Sequence, residues 1–272
     1  MKKIACINDL SGIGRCSLTA SLPIISSLKI QCCPYPTAIL SSQTGYDEYS
    51  FLDLKDEMIK YKSVWKNLNV EFDFIYSGFL GSMDQIKIVS NFIDENPNVP
   101  VLVDPILGDE GKLYPVFDEE MCKKIKELVK KSYIITPNLT EALLLTNKDL
   151  NNLDLDDVEI LEICKTLSNL GPKKIIITGI LRDDFVLNFG FNNETKKHFI
   201  IKKKYNKKSY SGTGDIFSSI ISALTVRGFD LYKSVEIASD FIYDVIKYNT
   251  KFDTDRNDGI MFELFLNKLT CI

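Results

Sequence analysis

Residues 4–34, IACINDLSGIGRCSLTASLPIISSLKIQCCP, contain an apolar run, a polar stop at Asn8-Asp9, and paired glycines at 12 and 14. A helically spaced stretch from Ser17 to Leu28 and a second apolar run, Ile30 to Pro34, follow. Strand, glycine turn, helix and strand in that order make a βαβ unit, in which both strands lie parallel in one sheet.

The same rhythm continues down the chain. Helical spacing over Leu54 to Leu68 precedes the strand-like FDFIYSGF (72–79), then a helix from Ser82 to Asp94 and the strand VLVDPIL (101–107). A helix over Asp118 to Lys131 leads into YIITPN (133–138), and two further helices precede KIIITG (174–179). These apolar runs are β-branched and near-continuous, the pattern of parallel strands covered on both faces. From Asp184 to Tyr205 the pattern changes to alternation, FVLNFGF and HFIIKKKY about a turn at Asn192-Asn193, which predicts an antiparallel hairpin. Helices are expected over Asp215 to Arg227, Leu231 to Tyr248 and Gly259 to Leu269. No linker, composition break or internal repeat interrupts residues 1–272, so one domain is expected.

Bulk properties narrow the function. At 45% hydrophobic and 26% charged residues, the 272-residue chain can bury a full core. A net charge of −4 argues against a nucleic-acid partner, which draws on a basic excess. No apolar stretch reaches the length of a membrane span, and Asp9 ends the first apolar run too early for a secretory leader, so a cytoplasmic protein is expected. The seven cysteines form no CxxC pair and stand apart from the single His198, a pattern of reduced, buried thiols without disulfide or zinc.

In open α/β sheets ligands gather beyond the carboxyl ends of the strands. Those ends carry Asn8-Asp9, Ser77-Gly78, Asp104 through Asp109, Thr136 through Glu141, and Thr178-Gly179. SGTGD (211–215) then opens a long apolar helix. Glycines there permit positive φ and close approach of a ligand to backbone amides, and the helix start presents unpaired N–H groups, so a phosphoryl group in transfer is the candidate ligand. Asp215 also suits a plain helix cap.

Asp104, Asp109 and Glu110 in DPILGDEGKLY (104–114) make either a solvated loop or, with Glu141, a hard-cation site of the sparse kind Mg²⁺ takes. TPNLTEA is equally a helix start, capped by Asn138 or Thr140. SGIGRCS lacks the third glycine and the downstream acid of a dinucleotide fingerprint, and no Walker A loop is present. Its glycines are expected to form a tight turn near a small substrate. The lysine-rich stretch 196–209 suits a solvated sheet edge, with Lys207 or Lys208 as an added attraction for nucleotide phosphates, and His198 reads as structural.

The ordered set NDLSGIGR, SSQTGY, YSGFLGS, DPILGDEGKLY, ITPNLTEA and SGTGDIFSS resembles the pyridoxal/pyridoxamine kinases of the ribokinase-like superfamily, from Ile4 to about Tyr248. The resemblance implies a ribokinase-like three-layer α/β/α fold with a mostly parallel central sheet and an antiparallel edge hairpin. It implies ATP-dependent phosphorylation of the hydroxymethyl group of a B6 vitamer, with Mg²⁺ and a candidate monovalent cation, in a homodimer. By the same resemblance Asp215 is the general base, an ordinary carboxylate pKa sufficing, and Gly212, Thr213 and Gly214 form the anion hole. Asp104, Thr136, Asn138, Glu141 and Thr178 lie at the nucleotide, Asp109 and Glu141 at the metal, and Asp9, Ser11, Gln43 and Thr44 at the substrate.

This chain departs from many pyridoxal kinases in carrying Asp9 for serine, an acid able to pair with a protonated ring nitrogen or a cationic amine, and Gln43 for histidine. NDLSGIG also resembles the opening of hydroxymethylpyrimidine kinases, but those relatives usually carry cysteine after GTG, where this chain has Asp215. A non-catalytic B6-vitamer-binding protein is the remaining alternative, and a retained base argues against it.

Overall fold

The first strand, β1 (Lys3–Ser11), alternates its side chains between two separate apolar clusters: Ile4 and Cys6 enter one, Ala5 and Ile7 the other. That two-sided burial makes β1 a central strand and explains its unbroken apolar run. In the computed structural model, which describes residues 1–114 and 118–272, α1 (Ser17–Ser27) follows, then β2 (Gln31–Leu40), β3 (Phe51–Asp53), α2 (Lys55–Asn67), β4 (Phe74–Ser77) and α3 (Met83–Asp94). Next come β5 (Val101–Val103), a small ribbon of β6 (Gly108–Asp109) and β7 (Lys112–Leu113), α4 (Glu119–Val129), β8 (Ile134–Ile135), α5 (Leu139–Thr146) and α6 (Asp157–Leu170). The chain finishes with β9 (Lys174–Arg182), β10 (Phe185–Asn192), β11 (Lys197–Lys204), α7 (Thr213–Val226), α8 (Leu231–Asn249) and α9 (Leu266–Thr270).

Nine strands form one sheet in the order β11-β10-β9-β8-β5-β4-β1-β2-β3. Pairing is parallel from β2 to β9, and antiparallel at β3 and in the β9-β10-β11 edge. Helices α2 to α6 bury their apolar faces on one side, and α1, α7, α8 and α9 on the other. The result is the ribokinase-like α/β fold expected from the resemblance. Because the chain runs from β1 to β2 and then returns to the opposite flank of β1 as β4, the strand order reverses between β1 and β4, and a crevice opens at their carboxyl ends.

Several expectations are corrected in detail. The expected strand over 101–107 stops at Val103, since Pro105 has no N–H to donate to a ladder. β2 runs on to Leu40 and pairs with β3, an edge strand that the sequence did not announce because it is three residues long. The hairpin turn falls on 193–196. The helix expected over Gly259 to Leu269 is a 3₁₀ turn, Phe262–Phe265, followed by the short α9. All seven cysteines are free, although only Cys6, Cys16 and Cys164 are buried and Cys271 is exposed. Among the described residues, no helix is long and apolar enough to cross a membrane.

Candidate active site

Helix α7 begins over the crevice between β1 and β4. Gly212, its N-cap, has φ +77°, and a Cβ there would stand 2.0 Å from the Arg15 carbonyl oxygen, so only glycine fits. The first i→i−4 bond runs from Ile216 N to Gly212 O at 3.1 Å, leaving the amides of Thr213, Gly214 and Asp215 ahead of the helical ladder. Gly214 is exposed, and a Cβ built on it would lie 3.8 Å from Asp104 Oδ2, so the nest is open and borders the acidic strand ends.

Three elements hold the Asp215 carboxylate. Oδ1 accepts from Asn8 Nδ2 of β1 at 2.8 Å and from the Tyr76 hydroxyl of β4 at 3.4 Å, and Oδ2 accepts from the Ser17 amide at the head of α1 at 2.8 Å. Burial pushes this carboxyl up to about 6, the charge of Asp9 adds to the rise, and the donated hydrogen bonds oppose it. The base role asked for no unusual pKa, yet the fold imposes a raised one.

Asp9 and Ser11 are buried together. Asp9 Oδ2 accepts from Ser11 Oγ at 2.8 Å and Oδ1 from Ser17 Oγ at 2.5 Å, and desolvation raises its carboxyl. Asp104 is buried too, at the end of β5, where Ser218 Oγ donates to its Oδ2 at 3.0 Å and also bonds Thr136 Oγ1 at 2.9 Å. Burial, then the nearby Glu141 and Asp215 charges, hold the Asp104 carboxyl well above the usual range.

The TPNLTEA segment is a helix start as expected: Asn138 and Glu141 form a reciprocal capping box on α5. It also braces the acidic loop. Asn138 Nδ2 donates to Gly108 O, Gly111 N to Thr140 Oγ1, and Leu107 N to Glu141 Oε1, at 2.7 to 2.9 Å. Within this braced loop Ile106 has φ +36°, a strained setting for a β-branched residue. Burial pushes Glu141 up to about 7 against the pull of three backbone donors, and Asp109 adds to the rise. Thr178 N donates to Pro137 O at 2.9 Å, in line with the Asn138–Thr178 bridge. No group of three His, Cys, Asp or Glu side chains suited to a metal converges among the described residues, so a cation here would rest on one or two carboxylates, as Mg²⁺ does beside phosphates.

Gln43 and Thr44 lie on the loop after β2, Thr44 exposed. Gln43 Nε2 donates to Ser211 Oγ at 3.4 Å and to Asn257 O at 3.3 Å. Gly12 does not merely open the turn toward a substrate: a Cβ there would lie 2.8 Å from Ser41 O, so the SGIGR and SSQTGY loops meet through it. Lys207 and Lys208 are exposed in the loop entering the nest, and His198 stacks on Phe189 at 5.6 Å.

Sequence reasoning passed over Asn8, Ser17, Tyr76 and Ser218 as partners of the acids. It also missed residues 255–259, which strap the site together: Ser211 N donates to Arg256 O, Asn257 Nδ2 to Gly45 O, and Arg15 N to Asp258 O. The signal available for the strap was its turn-rich composition, DRNDG.

The phosphomethylpyrimidine kinase family profile matches residues 16–259. The chain belongs to this family. Among its relatives, a Bacteroides thetaiotaomicron phosphomethylpyrimidine kinase homologue, crystallised in one form with pyridoxal, is 41% identical with a TM-score of 0.95 over 98% of this chain and 95% of that one. Pyridoxal kinase of Lactobacillus plantarum superposes with a TM-score of 0.91 at 25% identity, covering 100% of this chain and 97% of that one. Pyridoxal kinase of Dictyostelium discoideum is 28% identical over 84% of this chain and 80% of its own length. The Bacillus subtilis hydroxymethylpyrimidine/phosphomethylpyrimidine kinase is 28% identical over a match that spans 64% of either chain. The relatives of this chain thus carry names of both activities.

Proposed function

We propose that this chain is an ATP-dependent kinase of the vitamin B6 group, transferring the γ-phosphoryl to the 5′-hydroxymethyl of pyridoxal, pyridoxamine or pyridoxine. The observation that carries the reading is the placement of Asp215, held by β1, β4 and α1 beside three unpaired amides of α7 and bordering Asp104.

In the proposed step the substrate hydroxyl gives its proton to Asp215 as its oxygen bonds to the γ-phosphorus, the bond to the β-phosphate oxygen breaks, and ADP leaves. Such transfer asks chiefly for positioning and charge stabilisation, which the Gly212–Asp215 amides supply to the phosphoryl oxygens. A carboxyl pushed to about 6 is ionised at neutral pH, yet basic enough to accept the proton. Asp104, Thr136, Asn138 and Thr178 line the proposed nucleotide side, and Gln43 and Thr44 the vitamer side; Ser11, expected there, is fully buried with its hydroxyl given to Asp9. Asp109 and Glu141 would hold Mg²⁺, two carboxyls raised by burial that a cation would relieve. Bound there, the ion would neutralise charge on the triphosphate.

Hydroxymethylpyrimidine phosphorylation is the second reading, favoured by the family match and the Bacillus subtilis relative. Asp215 in place of the usual cysteine and the pyridoxal bound by the Bacteroides relative favour the B6 vitamer. One competition assay with ATP and pyridoxal, pyridoxamine, pyridoxine and hydroxymethylpyrimidine tests the choice: the B6 reading requires the highest kcat/KM on a vitamer. Vitamer binding without turnover would instead identify a reservoir protein.

We further infer a single domain over 1–272, supported by one nine-stranded sheet that takes strands from both halves of the chain, and a homodimer. Leu10, Ile39 and Leu52 are register neighbours across β1, β2 and β3, all exposed, and form an apolar stripe that a second copy would cover.

A further inference from the structure

Asp9 was expected to face the substrate, but the residue is 5% exposed and both carboxylate oxygens are committed to serine hydroxyls. One of those serines connects it to the base. Ser17 sends its hydroxyl to Asp9 Oδ1 and its backbone N–H to Asp215 Oδ2, so one residue spans the two carboxylates.

Ser17 does this from φ +49°, an unfavourable backbone for serine at a helix start. Its two bonds hold that conformation in place. Strain of this kind persists only where surrounding contacts over-determine it, and it gathers at functional sites.

We infer that Asp9 is a positioning residue: through the Ser17 hydroxyl it fixes the main-chain amide that orients Asp215. The vitamer is then recognised by other groups, and the acid at position 9 acts on the geometry of the base.

The charged and titratable groups facing Asp215 are Asp9 and Cys6 from β1, Cys16 ahead of α1, Tyr76 from β4 and Asp104 after β5. Asp9 is the one joined to it through Ser17, and its negative charge raises the affinity of Asp215 for a proton.

The turnover consequence rests on the B6 kinase reading, but the geometric claim does not, and the test separates them. In the unliganded full chain, the ¹³C carboxyl titration of Asp215 and the exchange rate of the Ser17 amide are followed in wild type, Asp9→Asn and Ser17→Ala. Asp9→Asn is expected to move the Asp215 midpoint to lower pH, and both variants to speed Ser17 exchange by roughly tenfold or more. Ser17→Ala keeps every charge and removes one hydroxyl, so it serves if Asp9→Asn folds poorly. In the kinase assay both variants should lose roughly tenfold to a hundredfold in kcat, with the KM for the vitamer nearly unchanged, and the double variant should be no worse than the worse single one. Unchanged exchange and an unchanged midpoint would overturn the inference, as would a raised vitamer KM at wild-type kcat, which would make Asp9 a direct ligand. A wild-type chain without kinase activity would overturn the B6 reading alone, leaving the magnetic-resonance result to decide the role of Asp9.

Discussion

Asn8 Nδ2 and Asp215 Oδ1 lie 2.8 Å apart, joining the end of β1 to the first turn of α7 across 207 residues of sequence. Asn8 also accepts the Phe79 and Asp9 amides on its Oδ1, at 2.9 and 3.1 Å. One side chain therefore couples β1, the turn after β4 and the proposed base.

Truncating it tests that coupling. Asn8→Ala should cost about 2–3 kcal/mol in unfolding free energy, read from urea midpoints, for the three hydrogen bonds lost. Asn8→Asp keeps the shape but sets a second charge against Asp215, so the acid limb of kcat/KM should move to higher pH.

Asp215→Asn removes the proton acceptor and keeps the volume. Turnover should fall by about 10²–10⁴, while calorimetry finds nucleotide affinity within a few-fold of wild type. Wild-type turnover in this variant would strip Asp215 of its proposed part.

The two glycines of the nest should separate fold from function. Gly212→Ala forces a Cβ against Arg15 O at 2.0 Å with φ +77°, and a lower Tm is expected along with lost activity. Gly214→Ala meets nothing nearer than Asp104 Oδ2 at 3.8 Å, so its Tm should stay close to wild type while kcat falls, because the methyl enters the space proposed for the phosphoryl group.

Acidity should move activity and stability in opposite directions. As the proposed base, Asp215 must be ionised to act, so kcat/KM should fall as pH drops through about 6. Asp215 and Glu141, pushed to about 6 and about 7, bind protons more tightly folded than unfolded. Their contribution to stability is therefore complete below the unfolded carboxylate range and is lost as pH rises through about 6 to 7. Thermal scans without ligand should show Tm declining over that window, and Asp215→Asn should flatten part of the decline.

The homodimer proposal is checked by replacing Ile39 and Leu52, cross-strand neighbours on the exposed stripe, with lysine. Sedimentation should then report a monomer, since charge on that face opposes burial against a second copy.

Much of this protein was legible before folding was considered. The β-branched runs, the glycine turns and the helix start at TPNLTEA act over a few residues, so local spacing is enough to reveal them, although the choice of Asn138 over Thr140 as its cap came from the structure. The order of strand ends likewise brought Asp104, Thr136, Glu141 and Asp215 to one edge of the sheet. The short edge strand β3 and the broken final helix escaped because neither is long enough to show a period.

What only the tertiary structure decided is which groups face those acids. Asn8, Tyr76 and Ser17 reach Asp215 from 139 to 207 positions away, and Ser218 reaches Asp104 from 114. The proton affinity of a carboxylate depends on its desolvation and on charges and donors a few ångströms off. Those neighbours are set by strand order and helix docking, which leave no mark on the residues beside it in sequence.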